Sequence, residues 1–482
     1  MIYDKGKDED MIQEKCPYAE KCGACHIGQT SYEEELTAKK KTVEQYVGKY
    51  CKVNDVAGMY YPFHYRNKVH AVFGRLKDEV IAGTYSEGTH TIVPVQDCLI
   101  EDTQASAIIK TVTELVKSFK IWVYNEDTGR GIIRHVLVRK GMSTKQIMVV
   151  LVTACPEFPH KNNFVAELRK RHPEITTIVQ NINEQNTTMV LGERNKPLYG
   201  EGYIEDVLCG LRFRISPNSF YQVNSAQTQV LYKKAIQAAG LTGKETVIDA
   251  YCGIGTIGMA MAPKAGKVLG IELNRDAVKD AKANAKRNNI NNIHFVAADA
   301  TEYMTQMSEN GAKADVVVMD PPRSGSTEEF IQAVSVLSPA KVVYVSCNPE
   351  TLGRDLEIFQ TKGYQAVEAW PVDMFGWTNH VETVVLLSQR KADDVIEVEI
   401  ELDELDLTSA ESKATYKEIQ EYVLKEHGLK VSNLYISQVK RKCGIEVGEN
   451  YNLPRSEDSR QPQCPEDKEK AIRDALEHFR MV

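Results

Sequence analysis

Between residues 217 and 390 the sequence alternates short apolar runs with stretches long enough for a helix, and this pattern constrains the fold more than any other feature. The runs Thr246–Ala250, Lys267–Glu272, Ile293–Ala297, 314–320, Lys341–Ser346 and 383–387 are apolar at nearly every position. A strand exposed on one face would alternate polar and apolar residues. Strands buried on both faces belong to a parallel or mixed sheet with helices on either side, so an α/β fold is expected for this half.

The rest of the chain reads differently. Residues 1–50 hold a dense cysteine segment and then a helix over 31–50, opened by a Ser-x-x-Glu capping box, Ser31 and Glu34. Residues 51–215 carry shorter runs, such as 69–73, 136–138 and 146–152, split by turns, and predict a mixed α/β middle domain. The sheet domain is placed at 216–391. An acidic linker over 393–411 then leads, within 392–482, to a small helical extension. There Thr415 and Glu418 form a second capping box, Gly428 ends that helix and Ser432 starts another, while 455–468 reads as a loop.

At 482 residues and 42% hydrophobic content, the chain is too long for one core and too apolar for disorder. Residues 1–14 are too polar for a secretory signal, and no apolar run has membrane-spanning length, so a cytoplasmic monomer with no membrane partner is expected. Eleven cysteines, an odd number, argue for reduced thiols over a disulfide framework. The net charge of -8 does not suit nucleic acid, but residues 64–77 and 430–442 are basic with aromatics interleaved, which leaves local RNA binding open.

The segment 247–258 places glycines, among them Gly253 and Gly255, with Thr256 in a turn between a strand and a helix, where the backbone can approach a ligand. Glu272, 23 residues after Asp249, stands at the tip of a second strand, where an acid can hold both ribose hydroxyls. Such a turn alone also fits a dinucleotide. Asp299 at the third tip suits an adenine contact, and Asp320-Pro321-Pro322-Arg323 at the fourth suits the rim of a methyl-acceptor pocket, so the ordered set reads as Rossmann-like and built for S-adenosyl-L-methionine.

Cys347 follows the strand Lys341–Ser346 directly and is flanked by polar Ser346 and Asn348, where a chain leaves the core. Free cysteine is most often core filler, and Cys51, Cys155, Cys209, Cys252, Cys443 and Cys464 read that way. Carbon 5 of uracil needs a thiolate added at carbon 6 before it can attack, and a base to take its proton afterwards. Cys347 supplies the first requirement and Glu382, just before the last strand, the second.

Cys347-Asn348-Pro349, Asp320-Pro321-Pro322-Arg323, Phe220-Tyr221-Gln222-Val223-Asn224 and His380-Val381-Glu382 together resemble the RNA (uracil-5-)-methyltransferase family, specifically its 23S rRNA branch, over roughly residues 16–387. By position, the resemblance implies that Gln222, Tyr251, Glu272 and Asp299 bind S-adenosyl-L-methionine. It further implies that Asp320 lines the cofactor and uracil pocket, Cys347 is the nucleophile and Glu382 the base. The chain has Gly376-Trp377-Thr378 where members often have Pro-x-Thr.

Cys16, Cys22 and Cys25 lie close together and Cys98 follows at a distance, a set that four-thiolate closure on zinc or on an iron-sulfur cluster would equally explain. The resemblance implies a [4Fe-4S] cluster, which the tRNA branch generally lacks. Many rRNA-branch members begin with a TRAM barrel, and with fifteen residues before Cys16 that barrel is expected to be absent.

Arg66, Lys68, Arg134, His135 and Arg323 are candidate RNA contacts, and Lys440-Arg441-Lys442 offers a further basic patch. The substrate expected is 23S rRNA. The nearest rival is a tRNA uridine-5 methyltransferase; a non-catalytic iron-sulfur RNA-binding factor, an N-methyltransferase and a cytosine-5 enzyme fit the pairing of Cys347 with Glu382 less well.

Overall fold

The strands at the centre of the C-terminal half are buried on both faces, as their apolar runs require. In Val316–Met319 all four residues are buried. Val247, Val316, Val318 and Val343 point into one core, while Ile248, Val317, Met319 and Val342 point into another. The computed structural model describes residues 16–77, 79–86, 88–185, 187, 189–390, 415–445, 463–479 and 481. The chain divides into two compact units, residues 1–394 and 395–482. The acidic stretch 393–411 lies outside the described residues.

In the first unit an eight-stranded sheet runs in the order Lys52–Val53, Tyr364–Val372, Glu382–Gln389, Lys341–Ser346, Val316–Met319, Thr246–Ala250, Lys267–Glu272, Ile293–Ala297. Five neighbouring strands, from Lys341–Ser346 to Ile293–Ala297, are parallel, so their carboxyl ends share one edge. Glu382–Gln389 is antiparallel to Lys341–Ser346 and Tyr364–Val372, with Ser346 opposite Thr383 and Val372 opposite Glu382. Its first residue, Glu382, is thereby brought to the edge where the parallel strands end. Ligands of open α/β sheets bind at that edge. The sequence runs foresaw six of these eight strands but not Lys52–Val53, which is two residues long, or Tyr364–Val372, where Gln365, Glu368 and Pro371 interrupt the apolar signal.

A second sheet of seven strands runs Ile92–Val93, Glu79–Tyr85, Lys68–Leu76, Ile133–Lys140, Ile147–Thr153, Ile175–Ile182, Arg194–Tyr199. Val69, Phe73, Val136 and Leu151 on one face pack with the helices Thr103–Ser118 and Lys161–Arg171. On the other face Leu137, Met148, Val150 and Val152 join the core of the first sheet. The helix Tyr32–Val47 carries the expected capping box at Ser31 and Glu34.

The second unit holds the helices Tyr416–His427, Asn433–Lys442 and Glu466–His478, packed around Ile419, Val423, Ile436 and Ile472. Thr415 and Glu418 form the foreseen capping box and Gly428 ends its helix at φ 66°. The helix beginning at Glu466 overrides the loop read over its first residues; Glu466, Asp467 and Glu469 complement the helix dipole there. Among the described residues no helix is long and apolar enough to cross a membrane.

Candidate active site

The turn after Thr246–Ala250 runs through left-handed backbone at Tyr251, Gly253 and Gly255, with φ of 63°, 56° and 80°, a conformation that the two glycines adopt at no steric cost. At Gly255 an added Cβ would lie 2.6 Å from the Phe295 ring, so both conformation and space call for glycine. The Gly258 amide donates to Asp249 Oδ2 at 2.7 Å, which ties the following helix to the strand. Glu272 accepts from the Gly253 amide at 3.0 Å and the Asn274 amide at 2.7 Å, so its carboxylate is held at the rim of the turn.

Cys347 is presented by a small self-bonded turn. Ser346 Oγ donates to the Asn348 carbonyl at 3.1 Å, and Asn348 accepts from the Glu350 amide to cap the helix Pro349–Thr361. Asn348 Nδ2 also donates to the Arg323 carbonyl at 3.1 Å, which joins the nucleophile turn to the Asp-Pro-Pro-Arg turn.

These elements enclose a cavity of about 430 Å³ lined by Gln222, Tyr251, Gly253, Glu272, Asp320, Arg323, Cys347 and Glu382 among others. Eight of the expected site residues thus meet on one cavity. Thr256 lines a small adjoining recess and bonds Tyr232 across 2.7 Å. Gly255 and Asp299 stand back from the cavity: Asp299 caps the helix Ala300–Glu309 by accepting from the Glu302 amide at 3.0 Å. Cys347, Arg323 and His380 also face a second cavity of about 340 Å³, so the thiol stands where two openings meet.

The charge of the larger cavity is unbalanced. Glu272, Asp320 and Glu382 line it against the single guanidinium of Arg323. Among the described residues no hydrogen-bond donor reaches the carboxylate of Asp320 or of Glu382. Burial pushes the Glu382 carboxyl up, and Asp320 adds to the rise while Arg323 opposes it; burial raises Asp320 as well. Burial, then Glu382 and Asp320, pushes the Cys347 thiol up to about 11. Asp249, behind the turn, is pushed up to about 7 by burial and keeps Oδ1 without a partner. Such a lining is costly alone and suits a ligand that brings positive charge, as a sulfonium and an ammonium group do.

Sequence reasoning gave no role to Phe220, Phe375 or His380, which also line the cavity. His380 could have been found from its place two residues before Glu382. Phe375 and His380 belong to a loop held from the N-terminal helix: Lys39 Nζ sits 2.6 Å from Asp373 Oδ1 and 2.6 Å from Glu35 Oε1, and donates to the Phe375 carbonyl at 3.0 Å. Trp377, in the segment where the chain departs from the family pattern, is buried against Tyr32 and Phe63 with φ 66°.

Two candidate RNA contacts are corrected. Arg134 is buried and donates to the carbonyls of Asn183 and Gln185 and to Glu126, so its charge is consumed inside the protein. His135 is buried beside His70 at 3.3 Å and held neutral, its pKa pushed down to about 3 by burial and the neighbouring His70 and Arg134. Of the basic patch in the second unit, Lys440 is buried over the Tyr416 ring and Lys442 pairs with Glu469 at 2.5 Å, while Arg441 stays exposed. Cys16, Cys25 and Cys98 pack on one apolar nucleus with Ile27 and Trp377, and Cys22 lies within electrostatic reach of Cys25. Among the described residues no three His, Cys, Asp or Glu side chains converge closely enough to hold a metal ion.

A family model described as tRNA (uracil-5-)-methyltransferase matches residues 189–390. An RNA methyltransferase of Halalkalibacterium halodurans is 42% identical over 383 residues, which cover 78% of this chain and 84% of the relative. One from Caldanaerobacter subterraneus subsp. tengcongensis is 42% identical over 387 residues, covering 80% and 86%. Among solved structures, the Pyrococcus abyssi tRNA (uracil-54, C5)-methyltransferase in complex with S-adenosyl-L-homocysteine is similar at a TM-score of 0.62 and 28% identity, over 74% of this chain and 83% of that one.

Proposed function

This chain belongs to the RNA (uracil-5-)-methyltransferase family, and on that premise we propose that it methylates carbon 5 of a uridine in 23S rRNA, with Cys347 as nucleophile and Glu382 as base. It is an RNA methyltransferase with the fold of the S-adenosyl-L-methionine-dependent enzymes. The observation that carries the finer reading is the meeting of Cys347, Glu382 and Asp320 on one cavity, both carboxylates lacking a donor.

Gln222, Tyr251, Gly253 and Glu272 would hold S-adenosyl-L-methionine, with Gly255, Thr256 and Asp299 shaping the turn and helix behind them. When bound, it supplies an electrophilic methyl group on a cationic sulfur. Positive charge beside Asp320 and Glu382 lowers the proton affinity of both carboxylates and of the Cys347 thiol. Cys347, having given its proton to water at the opening, then adds through Sγ as thiolate to uracil carbon 6, forming a carbon–sulfur bond as the π pair of the carbon 5–carbon 6 bond moves onto carbon 5. Once carbon 5 carries the methyl group, Glu382 takes its proton; that electron pair restores the ring double bond and expels Sγ as thiolate.

RNA containing 5-fluorouridine tests this, because fluorine cannot leave as a proton does. The wild-type protein should form a denaturation-resistant adduct that requires the cofactor. Cys347→Ala should form none while still binding the cofactor, and Glu382→Gln should stall as an adduct even on ordinary uridine RNA. Full turnover by Cys347→Ala would end the covalent reading.

Cys16, Cys22, Cys25 and Cys98 support the rRNA branch as ligands of a [4Fe-4S] cluster, which would require these thiols to draw closer together than they stand. Protein purified anaerobically should carry about four irons per chain; zinc alone would refute the assignment. A tRNA substrate is favoured instead by the likeness to the Pyrococcus abyssi enzyme. Loss of 5-methyluridine from tRNA rather than 23S rRNA in a deletion strain would decide for it.

A further inference from the structure

A further cavity, of about 360 Å³, lies beside the strands Lys68–Leu76 and Glu79–Tyr85 and is lined by Arg66, Lys68, His70, Leu137, Val190 and Leu191, with Cys22 and Cys98 also on its wall. Its volume is that of a small-ligand site. Its other wall is Val223, the residue after Gln222, which lines the acidic cavity, so one stretch of backbone separates the two. That partition is held rigidly. The Asn67 amide donates to the Val223 carbonyl at 2.8 Å, and Asn67 Nδ2 donates to the Gln222 carbonyl and to Ser225 Oγ. Arg139 donates to the carbonyls of Pro217 and Ser219, at 3.3 and 2.6 Å.

Other cations of this unit are held by the protein itself: Lys39 meets Asp373 and Glu35, Lys140 meets Asp102 at 2.7 Å, Arg134 meets Glu126 at 3.0 Å, and Arg139 meets the two carbonyls named above. Lys68 and Arg66 are exceptions. Among the described residues neither side chain has a hydrogen-bond or ion-pair partner, although Glu101 lies near enough to Arg66 to feel its charge. Burial, with Arg139 and Arg66 nearby, pushes Lys68 down to about 8, the mark of a cation held without compensation. Arg66 also lies within electrostatic reach of His380, as does Arg323. An unpaired, part-buried ammonium is costly, and is kept where a ligand brings the opposite charge.

We propose that this cavity receives a nucleotide flanking the target uridine, its phosphate on Lys68 and Arg66 and its base against Leu137, Val190, Leu191 and Val223. This rests on the uracil-5 reading of the neighbouring cavity and adds to it a second contact on the same strand. Enzymes that extract a base from folded RNA read the flanking nucleotides in this way. Recognition then takes two adjacent nucleotides, one in each cavity.

The test uses the full-length protein and the 5-fluorouridine transcript, of 23S rRNA or of tRNA, that forms the wild-type adduct. Lys68→Met removes the charge and keeps the length. It should weaken transcript binding about tenfold and lower the salt slope by about one, with cofactor affinity, iron content and melting temperature not reduced. Leu191→Trp fills the cavity and should weaken binding comparably with Lys68 intact. Wild-type affinity in either variant overturns the proposal, and so does a Lys68→Met protein that loses iron or melts lower, because Lys68 would then be structural. Failure of the wild type to form an adduct on either RNA instead defeats the uracil-5 reading, so the two failures are distinguishable.

Discussion

The two cavities that share the wall at residues 220–224 carry charge of opposite sign. One gathers Glu272, Asp320 and Glu382 against Arg323, and the other Arg66 and Lys68 against Glu101. Both keep charged groups without a hydrogen-bond or ion-pair partner among the described residues, whereas Lys39, Lys140 and Arg134 of the same unit each meet a carboxylate. On the proposed reading, the charged groups left without a partner in these two cavities are the ones that meet ligands, whereas Arg134, a cation of the same sheet, is held by the protein itself. Arg134 and Lys68 lie on neighbouring strands of one sheet, yet Arg134 donates to two carbonyls and a carboxylate, whereas among the described residues the Lys68 ammonium has no partner.

Arg134→Met gives the largest effect and tests the paired side of that contrast. Removing it leaves the Asn183 and Gln185 carbonyls without their donor, and Glu126, about a third exposed, can turn to water. The expected loss is about 3 kcal/mol in urea denaturation, the lower end for a buried pair, with the salt slope of RNA binding unchanged. A fall in that slope would return Arg134 to the RNA surface and break the contrast.

Asp320→Asn tests the unpaired acidic side, with a smaller effect. If Asp320 faces a cationic cofactor, the substitution should weaken S-adenosyl-L-methionine by about 2 kcal/mol, roughly thirtyfold. S-adenosyl-L-homocysteine lacks the sulfonium charge and should lose less. Calorimetric titration of both ligands checks this, and equal losses would mean that the carboxylate acts through shape alone.

The acidic cavity was legible in the sequence and the basic one largely was not, for a physical reason. Parallel strands buried on both faces read as apolar runs, so the polar residues at their tips, Glu272, Asp320 and Cys347, stand out at the functional edge. In Ile133–Lys140 the polar Arg134 and His135 read as candidate RNA contacts, but tertiary packing covers both faces of that strand. Alternation reveals that residues differ; it does not reveal what lies over them. The same blindness hid the Lys39–Asp373 pair, whose partners are 334 residues apart. Lys68 was singled out for its charge, and only the fold shows that the charge is unpaired.

Glu382→Gln offers the smallest and sharpest test, because it reads the coupling between two groups of the acidic cavity without RNA. In the cofactor-free protein the Cys347 thiol is raised first by burial and then by Glu382 and Asp320. Glu382 is itself raised, to about 8. Well below that pH the wild-type carboxyl is neutral, as the amide is, so Cys347 should react with iodoacetamide at the same rate in both proteins. As pH rises through about 8 the wild-type carboxylate gains its charge and resists thiolate formation, whereas the variant does not. The ratio of variant to wild-type rates should therefore climb from about one near neutral pH to several-fold near pH 9, tenfold at most if one full pKa unit is involved. Mass spectrometry of the alkylated Cys347 peptide keeps the other thiols out of the measurement. A ratio that stays flat across this range would mean that Glu382 and Cys347 do not share an electrostatic environment, and the covalent assignment would then rest on Cys347 alone.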